Sequence, residues 1–272
     1  MWAGFALAII TFQGGCPLLL DIFSDPTGTI INLLLLVPGL LLALCGHEAA
    51  HGLMAYWCGD PTAKYYGRLT LNPAKHLDPM GTFCMLFLHI GWAKPVPVNP
   101  NNFRHPRRDD LLVSLAGITA NLLMCFIGCL LMYIPLTAAL RSMGAMGMDC
   151  SFFYQVAFAA SSVVGDAFGD TAYYLYEIFV NFATINLSLA FFNLLPIPPL
   201  DGYHVLNDLI LKKNDLFASQ KAARIGQIII LLIIFVDPIS DLYSRMLNGI
   251  FTGVFHGIGT AAWQLISLTG LL

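Results

Sequence analysis

The sequence predicts an all-α polytopic membrane protein, and its composition and apolar runs carry that prediction. Only 11% of the 272 residues are charged, whereas a soluble domain has about 25%. Hydrophobic residues make up 57% of the chain, and the mean hydropathy is +0.73. Several apolar runs come close to the ~20 residues that cross a bilayer. We therefore expect a protein embedded in a lipid bilayer, and we expect no nucleic-acid partner.

About six apolar runs qualify as membrane spans. They cover residues 2–20, 30–56, 111–134, 172–195, 225–236 and 250–272. The first run lacks a basic N-terminal region, so we interpret it as a span rather than as a cleaved signal. The fifth, at about 12 residues, is short for a full crossing. The seven cysteines form no C-x-x-C pair, and a disulfide framework is therefore not expected.

The second run contains ionisable residues at a spacing that suits metal binding. It includes the sequence Gly-His-Glu-Ala-Ala-His, with His47, Glu48 and His51. Residues four apart share a helix face, so the two histidines can hold one metal ion. Glu48 lies beside them and can act on a metal-bound water, as in the H-E-x-x-H zinc proteases. The alternative is a pair of core histidines with an unrelated acid. However, an ionisable residue at membrane depth costs at least ~2.5 kcal/mol and is functional by default.

A third ligand can come from the end of the fourth span. A catalytic zinc uses three protein ligands and a water, so two histidines leave it one ligand short. The run 172–195 leads into Pro-Ile-Pro-Pro-Leu-Asp-Gly, whose prolines end the helix. Asp201 follows this break, and its span points to the same side of the membrane as His51. The alternative is a turn residue, because Asp-Gly is a common turn pair.

The chain between the second and third spans contains a segment that cannot be helical. Residues 91–100 read Gly-Trp-Ala-Lys-Pro-Val-Pro-Val-Asn-Pro, with prolines at alternate positions. Such a segment is typical of an edge strand or hairpin, and a rigid linker is equally consistent with its composition. We expect a small membrane-associated β-hairpin or edge strand. Trp92, Val96 and Val98 are then candidate contacts for an unwound peptide that adds as a strand.

The basic residues predict the orientation in the membrane. Seven of the 13 lysines and arginines lie between residues 58 and 110, and four more lie between 203 and 224. The positive-inside rule assigns these two loops to the cytoplasm. With six spans, both termini are then cytoplasmic. The histidines lie within the bilayer near its cytoplasmic face.

Taken together, these motifs resemble the site-2 proteases, a family of intramembrane zinc metalloproteases. The matching stretches are residues 46–52, 116–121 and 193–202, and residues 67–73 and 91–108 are similar to the compact prokaryotic branch. Ile118 stands where many relatives have proline. The resemblance implies that His47, His51 and Asp201 bind Zn²⁺. It also implies that Glu48 is the catalytic base.

The resemblance extends over about residues 38–204 and implies a three-helix catalytic core made of the second to fourth spans. The whole chain is then a single integral-membrane protease domain, 1–272, with its core at about 30–211 and peripheral helices at 1–20 and 225–272. The implied substrate is a transmembrane helix of another protein, in a prokaryotic cell membrane. The sequence predicts no oligomeric state.

The roles of two asparagines and the choice between two functions remain open. By resemblance, Asn121 or Asn193 stabilises the oxyanion, whereas an interhelical packing hydrogen bond explains each of them equally well. The alternative function is a non-proteolytic metal transporter, or a metal-stabilised scaffold or chaperone. Glu48 discriminates between these classes, because a scaffold has no need of a non-ligating carboxylate beside the histidines.

Overall fold

The computed structural model describes residues 7–9, 25–88, 90–142, 161–211 and 220–236, together with isolated positions at 23 and beyond 236. This part of the chain is mostly helical. In chain order its elements are strand β1 (Leu7–Ile9), helices α1 (Pro26–Trp57), α2 (Thr62–Tyr65), α3 (Pro73–His76) and α4 (Pro79–Leu88), strand β2 (Ile90–Trp92), and helices α5 (Pro106–Ser142), α6 (Ser161–Phe168), α7 (Asp170–Asn193), α8 (Asp201–Leu206) and α9 (Gln220–Phe235). A 3₁₀ turn at Pro100–Asn102 and a π-helical turn at Asn207–Leu211 complete the described elements.

Three helices of the described part are long and apolar enough to cross a membrane. They are α1, the Pro106–Leu136 portion of α5, and α7. The second, third and fourth predicted spans coincide with them. Helix α1 begins earlier than expected because Asp25 caps it, its Oδ1 accepting from the Gly28 N–H at 3.0 Å. Helix α9 covers the fifth predicted span with 16 residues, fewer than the ~20 of a full crossing.

Close helix contacts at small residues join the three long helices. A Cβ added at Gly39 of α1 would lie 3.2 Å from the Phe182 Cα of α7. A Cβ added at Gly128 of α5 would lie 3.0 Å from the Ala183 Cα, also on α7. Small residues let membrane helices approach this closely. The contacts among α1, α5 and α7 therefore build a three-helix core.

The first predicted span is corrected by a strand in its N-terminal half. Residues Leu7–Ile9 pair antiparallel with β2, with Leu7 opposite Trp92 and Ile9 opposite Ile90. They are extended rather than helical because the backbone edge of β2 supplies their hydrogen-bond partners. The rest of residues 2–20 lies outside the described residues. Only isolated positions of the sixth predicted span, 250–272, are described.

The predicted β-hairpin also differs from the observed pairing. Strand β2 ends at Trp92, and Ala93 forms one isolated bridge with Leu77. Residues 94–99 follow outside any helix or strand, since the prolines at 95 and 97 have no N–H to donate to a ladder. Residues that precede a proline favour an extended backbone. The partner of β2 is a strand from the start of the chain, and helices α1 to α4 lie between the two strands, so the pair is not a hairpin.

Two helices end in the same glycine motif, and each delivers a charged residue to the interior. After α1, Gly59 has φ +110°, and the Asp60 N–H donates to the Ala55 carbonyl at 2.8 Å. After α2, Gly67 has φ +64°, and the Arg68 N–H donates to the Ala63 carbonyl at 2.9 Å. This is the Schellman pattern. Asp60 and Arg68 are both buried as a result.

Candidate metal centre

The two histidines and the glutamate of α1 lie near its C-terminal end, on the side that faces the other two long helices. His47, Glu48 and His51 are 1%, 2% and 4% exposed. The Nε2 atoms of the two histidines lie 3.0 Å apart, because residues four apart on a helix are stacked on one face. Both predicted ligands of this helix therefore reach the same point.

Asp201 completes this group from a different helix. It is the first residue of α8, directly after the proline-rich turn that ends α7. Its Oδ2 lies 3.2 Å from His47 Nε2 and 3.3 Å from His51 Nε2. Gly202 makes this approach possible, because a Cβ there would lie 2.1 Å from the Leu194 carbonyl oxygen. The three predicted ligands are thus brought together.

The hydrogen bonds behind the histidines decide which ring nitrogen faces the centre. His47 Nδ1 lies 2.6 Å from Asn121 Oδ1, and His51 Nδ1 lies 2.7 Å from the Val113 carbonyl oxygen. Both oxygens can only accept, so each Nδ1 is the donor. In a neutral imidazole the Nε2 atom then presents a lone pair. Asn121 is oriented by its own Nδ2, which donates to Asn186 Oδ1 at 2.8 Å.

This arrangement fits a zinc ion. Two Nε2 lone pairs and a carboxylate oxygen converge, and Asp201 Oδ2 has no hydrogen-bond donor among the described residues. Electron-rich atoms this close repel one another unless a cation lies between them. Two imidazoles and one carboxylate form a ligand set of catalytic zinc, and a tetrahedral centre with bonds of about 2.0–2.1 Å separates its ligands by about 3.3 Å. His47, His51 and Asp201 therefore match zinc in both chemistry and spacing.

Glu48 lies beside the ligand cluster without belonging to it, and its carboxylate binds the extended segment. Its Oε2 accepts the Val96 N–H at 2.8 Å. Its Oε1 is buried and has no hydrogen-bond partner in the described structure. The side chain of Val96 packs beside Gly52, where an added Cβ would lie 3.2 Å from Val96 Cγ1. The segment and the carboxylate are thus held against each other.

Gly117 lies against both histidines, whereas its spacing from Asn121 in the sequence predicts only close helix packing. A Cβ at this position would lie 2.5 Å from His51 Nε2 and 2.6 Å from His47 Cε1. It shares a face of α5 with Asn121, four residues on, which contacts His47. The signal was present as a glycine and an asparagine at i and i+4 within a membrane span. That pattern is also typical of ordinary helix packing.

The remaining predicted residues have varied surroundings. Asn193 is buried, and its Nδ2 donates to the Leu189 carbonyl of its own helix at 2.9 Å. Val96 and Val98 are buried in a cluster with Ala55 and Val113. Trp92 ends β2 and is half-buried. The buried Arg68, which donates to the Lys94 and Pro95 carbonyls, was missed as a neighbour of the site.

Comparisons with known proteins identify a family and relatives of this chain. The model of peptidase family M50 matches residues 35–236. YwhC of Bacillus subtilis, named as a candidate zinc metalloprotease, is 41% identical over 206 residues, which cover 76% of this chain and 82% of YwhC. Rip2 of Mycobacterium tuberculosis (strain H37Rv), with a name of the same kind, is 28% identical over 231 residues, 82% of this chain and 71% of Rip2. No solved structure matches significantly. By the extent of the family match and the identity to YwhC, the chain belongs to peptidase family M50.

Proposed function

We propose that this protein is an intramembrane zinc metalloprotease of the site-2 type, which hydrolyses a peptide bond within or near a transmembrane helix. The observation that carries the proposal is the convergence of His47, His51 and Asp201 beside a non-ligating carboxylate, Glu48, at the end of a membrane-length helix. A metal transporter needs several metal-binding sites along a path through the membrane, and the described residues contain one such group.

The chain's own residues supply the acid–base chemistry. His47, His51 and Asp201 would hold the ion, and zinc bound there would lower the pKa of a coordinated water towards ~7. Glu48 takes a proton from the attacking water as its oxygen bonds to the scissile carbonyl carbon. As the carbon–nitrogen bond breaks, Glu48 delivers that proton to the leaving amine. Its unpartnered Oε1 suits this role.

The two asparagines receive different assignments. Both Asn121 Nδ2 protons have acceptors, at Asn186 Oδ1 and at the Ala43 carbonyl. We therefore assign Asn121 to the orientation of His47 rather than to the oxyanion. Asn193 has one Nδ2 proton that binds its own helix, and it remains the candidate donor to the oxyanion.

The extended segment is the proposed contact for an unwound substrate. Prolines at 95 and 97 leave Lys94, Val96 and Val98 as its donors. Lys94 donates to the His76 carbonyl and Val96 donates to Glu48. The Val98 N–H is the donor that we assign to a substrate strand, which would lie along the segment next to Glu48. Trp92 and the valines would then contact its side chains.

We also propose the organisation of the whole chain. It forms one domain, 1–272, whose catalytic core is about 30–211 and whose other parts, 1–20 and 225–272, are peripheral. Loops 58–110 and 203–224 and both termini are cytoplasmic. The site then lies near the cytoplasmic face of a prokaryotic membrane. The partners are the bilayer and a transmembrane-helix substrate.

Glu48→Gln tests the proposed function, because it keeps the shape of the side chain and removes the base. The purified variant should retain zinc and cleave a model membrane substrate at least ~10²-fold more slowly than wild type. Asp201→Ala is the matched variant, and it should lose zinc as well as activity. Cleavage by Glu48→Gln at the wild-type rate would exclude Glu48 as the base. Zinc transport into vesicles without any cleavage would favour the transporter.

A further inference from the structure

We propose that Arg68 is a positioning residue for the cleavage reaction. Its guanidinium holds the backbone at Lys94 and Pro95, so that the next N–H, that of Val96, keeps Glu48 in place. The inference rests on the proposed function, because it assigns Arg68 a task in the reaction of Glu48.

The contacts of Arg68 form a short chain that ends on the base. Arg68 Nη2 donates to the Lys94 carbonyl, and it donates to the Pro95 carbonyl at 3.2 Å. The following residue donates its N–H to Glu48 Oε2 at 2.8 Å. Because this one nitrogen bridges two consecutive carbonyls, it limits rotation of the peptide plane between Pro95 and Val96. The Pro95 carbonyl and the Val96 N–H both lie in that plane. The direction of the Val96 N–H therefore depends on Arg68.

The burial of this charge needs an explanation. Arg68 is 5% exposed, and no carboxylate of the described residues lies within 4.0 Å of its nitrogens. Burial lowers the pKa of Arg68, while the nearby Glu48 charge opposes this effect and raises it. A buried guanidinium without an ion pair is destabilising. A neutral side chain would serve a purely structural anchor better, whereas a cation also attracts the carboxylate that must stay in position.

Asp60 anchors the other end of the same segment. Its carboxylate accepts the Asn99 N–H and the Asn102 Nδ2, both at 2.7 Å. Burial raises the pKa of Asp60, but hydrogen bonds from Thr62, Asn102 and Asn99 outweigh it and hold the pKa below its ordinary value. Arg68 and Asp60 therefore hold the two ends of this segment. Of the two, only Arg68 contacts Pro95, the residue directly before Val96, whose N–H binds Glu48.

Hydrogen exchange tests the contact without any need for activity. In metal-free protein, exchange is measured in a peptide that includes residues 94–98, a stretch whose only backbone amide hydrogens are those of Lys94, Val96 and Val98 because the other two residues are prolines. Arg68→Gln should speed exchange in this peptide at least tenfold, on the order of what local opening of a weakly held segment produces. Lys75→Gln removes an exposed cation from the same loop and should leave exchange unchanged.

Steady-state kinetics distinguish positioning from a purely structural role. Arg68→Gln should lower kcat by about 10- to 100-fold, since a misplacement of about 1 Å has an effect of this size. KM and zinc content should stay close to wild type, because Arg68 contacts the Lys94 and Pro95 carbonyls and is not one of the three candidate zinc ligands. Arg68→Lys keeps the charge but presents one compact ammonium. It should therefore fall between wild type and the Gln variant.

Each outcome has a defined meaning. Faster exchange with an unchanged kcat would make Arg68 a structural anchor only, and a raised KM with an unchanged kcat would make it part of the substrate clamp; either result overturns the inference. If Arg68→Gln does not fold, Arg68→Lys decides, and a wild-type kcat in that variant overturns the inference. A wild-type protein that binds zinc but cleaves nothing would instead refute the proposed function.

Discussion

At the scale of single residues, the centre depends on groups that never touch the ion. Asn121 and the Val113 carbonyl fix the tautomers of the two histidines, and Gly117 leaves the space in which their rings meet. Such surrounding residues typically change metal affinity by about 10- to 100-fold when they are altered. Two substitutions on α5 separate these contributions.

Gly117→Ala should abolish tight zinc binding. The added methyl group would lie 2.5 Å from His51 Nε2, inside van der Waals contact, so that a ring or the helix must move. Gly128→Ala is the control on the same helix, where the methyl group meets Ala183 and not the histidines. It should lower thermal stability and leave zinc content unchanged. Metal analysis of both purified variants makes the comparison, and full zinc occupancy in Gly117→Ala would contradict the geometry.

Asn121→Ala should weaken zinc binding by about 10- to 100-fold, because His47 loses the acceptor that orients its ring. Asn121→Asp keeps an oxygen at that place and should retain most of the affinity. Asn193→Ala, which removes an amide bonded to its own helix, should leave zinc affinity near wild type. Competition with a zinc chelator measures all three. An Asn121→Ala protein with normal affinity but slow cleavage would return Asn121 to the oxyanion role.

At the scale of elements, the ends of the helices position several residues at and around the site. The break after α7 places Asp201, and the Schellman ends of α1 and α2 place Asp60 and Arg68. Helix α9 packs onto the proline turn so closely that a Cβ at Gly226 would lie 1.8 Å from the Pro198 carbonyl oxygen. These ends bring Asp201 and the loop anchors to the histidines, which lie within α1.

Gly67→Ala isolates the contribution of one helix end. The residue has φ +64° and no atom within 4 Å of an added Cβ, so the change introduces backbone strain without a clash. We expect a loss of about 1–2 kcal/mol in the free energy of unfolding, with reduced activity because Arg68 follows directly. Gly249→Ala, which also meets no atom within 4 Å and has no positive φ, is the control. Denaturant titrations in detergent give both values, and equal stability of Gly67→Ala and wild type would argue against the motif.

At the scale of the whole molecule, orientation follows from charge, and one labelling experiment tests it. Asn101→Cys lies in the exposed 3₁₀ turn of loop 58–110, which we assign to the cytoplasm. In intact cells and a background free of reactive native cysteines, an impermeant thiol reagent should not label it. Phe23→Cys, an exposed position before α1 that the same proposal assigns to the opposite side, should be labelled. Ready external labelling at position 101 would reverse the topology.

Much of the core was predictable, for a physical reason. Spanning helices must satisfy every backbone group internally and hide polar atoms from lipid, so α1, α5 and α7 stand out as apolar runs of sufficient length. The same rule makes His47, Glu48 and His51 conspicuous. The prediction was wrong at Leu7–Ile9, where pairing with a distant strand outweighs local apolarity.

The sequence by itself therefore determined the membrane class, the three core helices and the local pair of histidines, since each depends on spacing within one helix. Only the tertiary structure decided that Asp201 Oδ2 meets both Nε2 atoms, that Gly117 leaves room for the rings, and that Arg68 reaches Glu48 through Val96. These contacts join residues that are far apart in the chain. Their distances depend on how the helices and turns pack together, which no local spacing encodes.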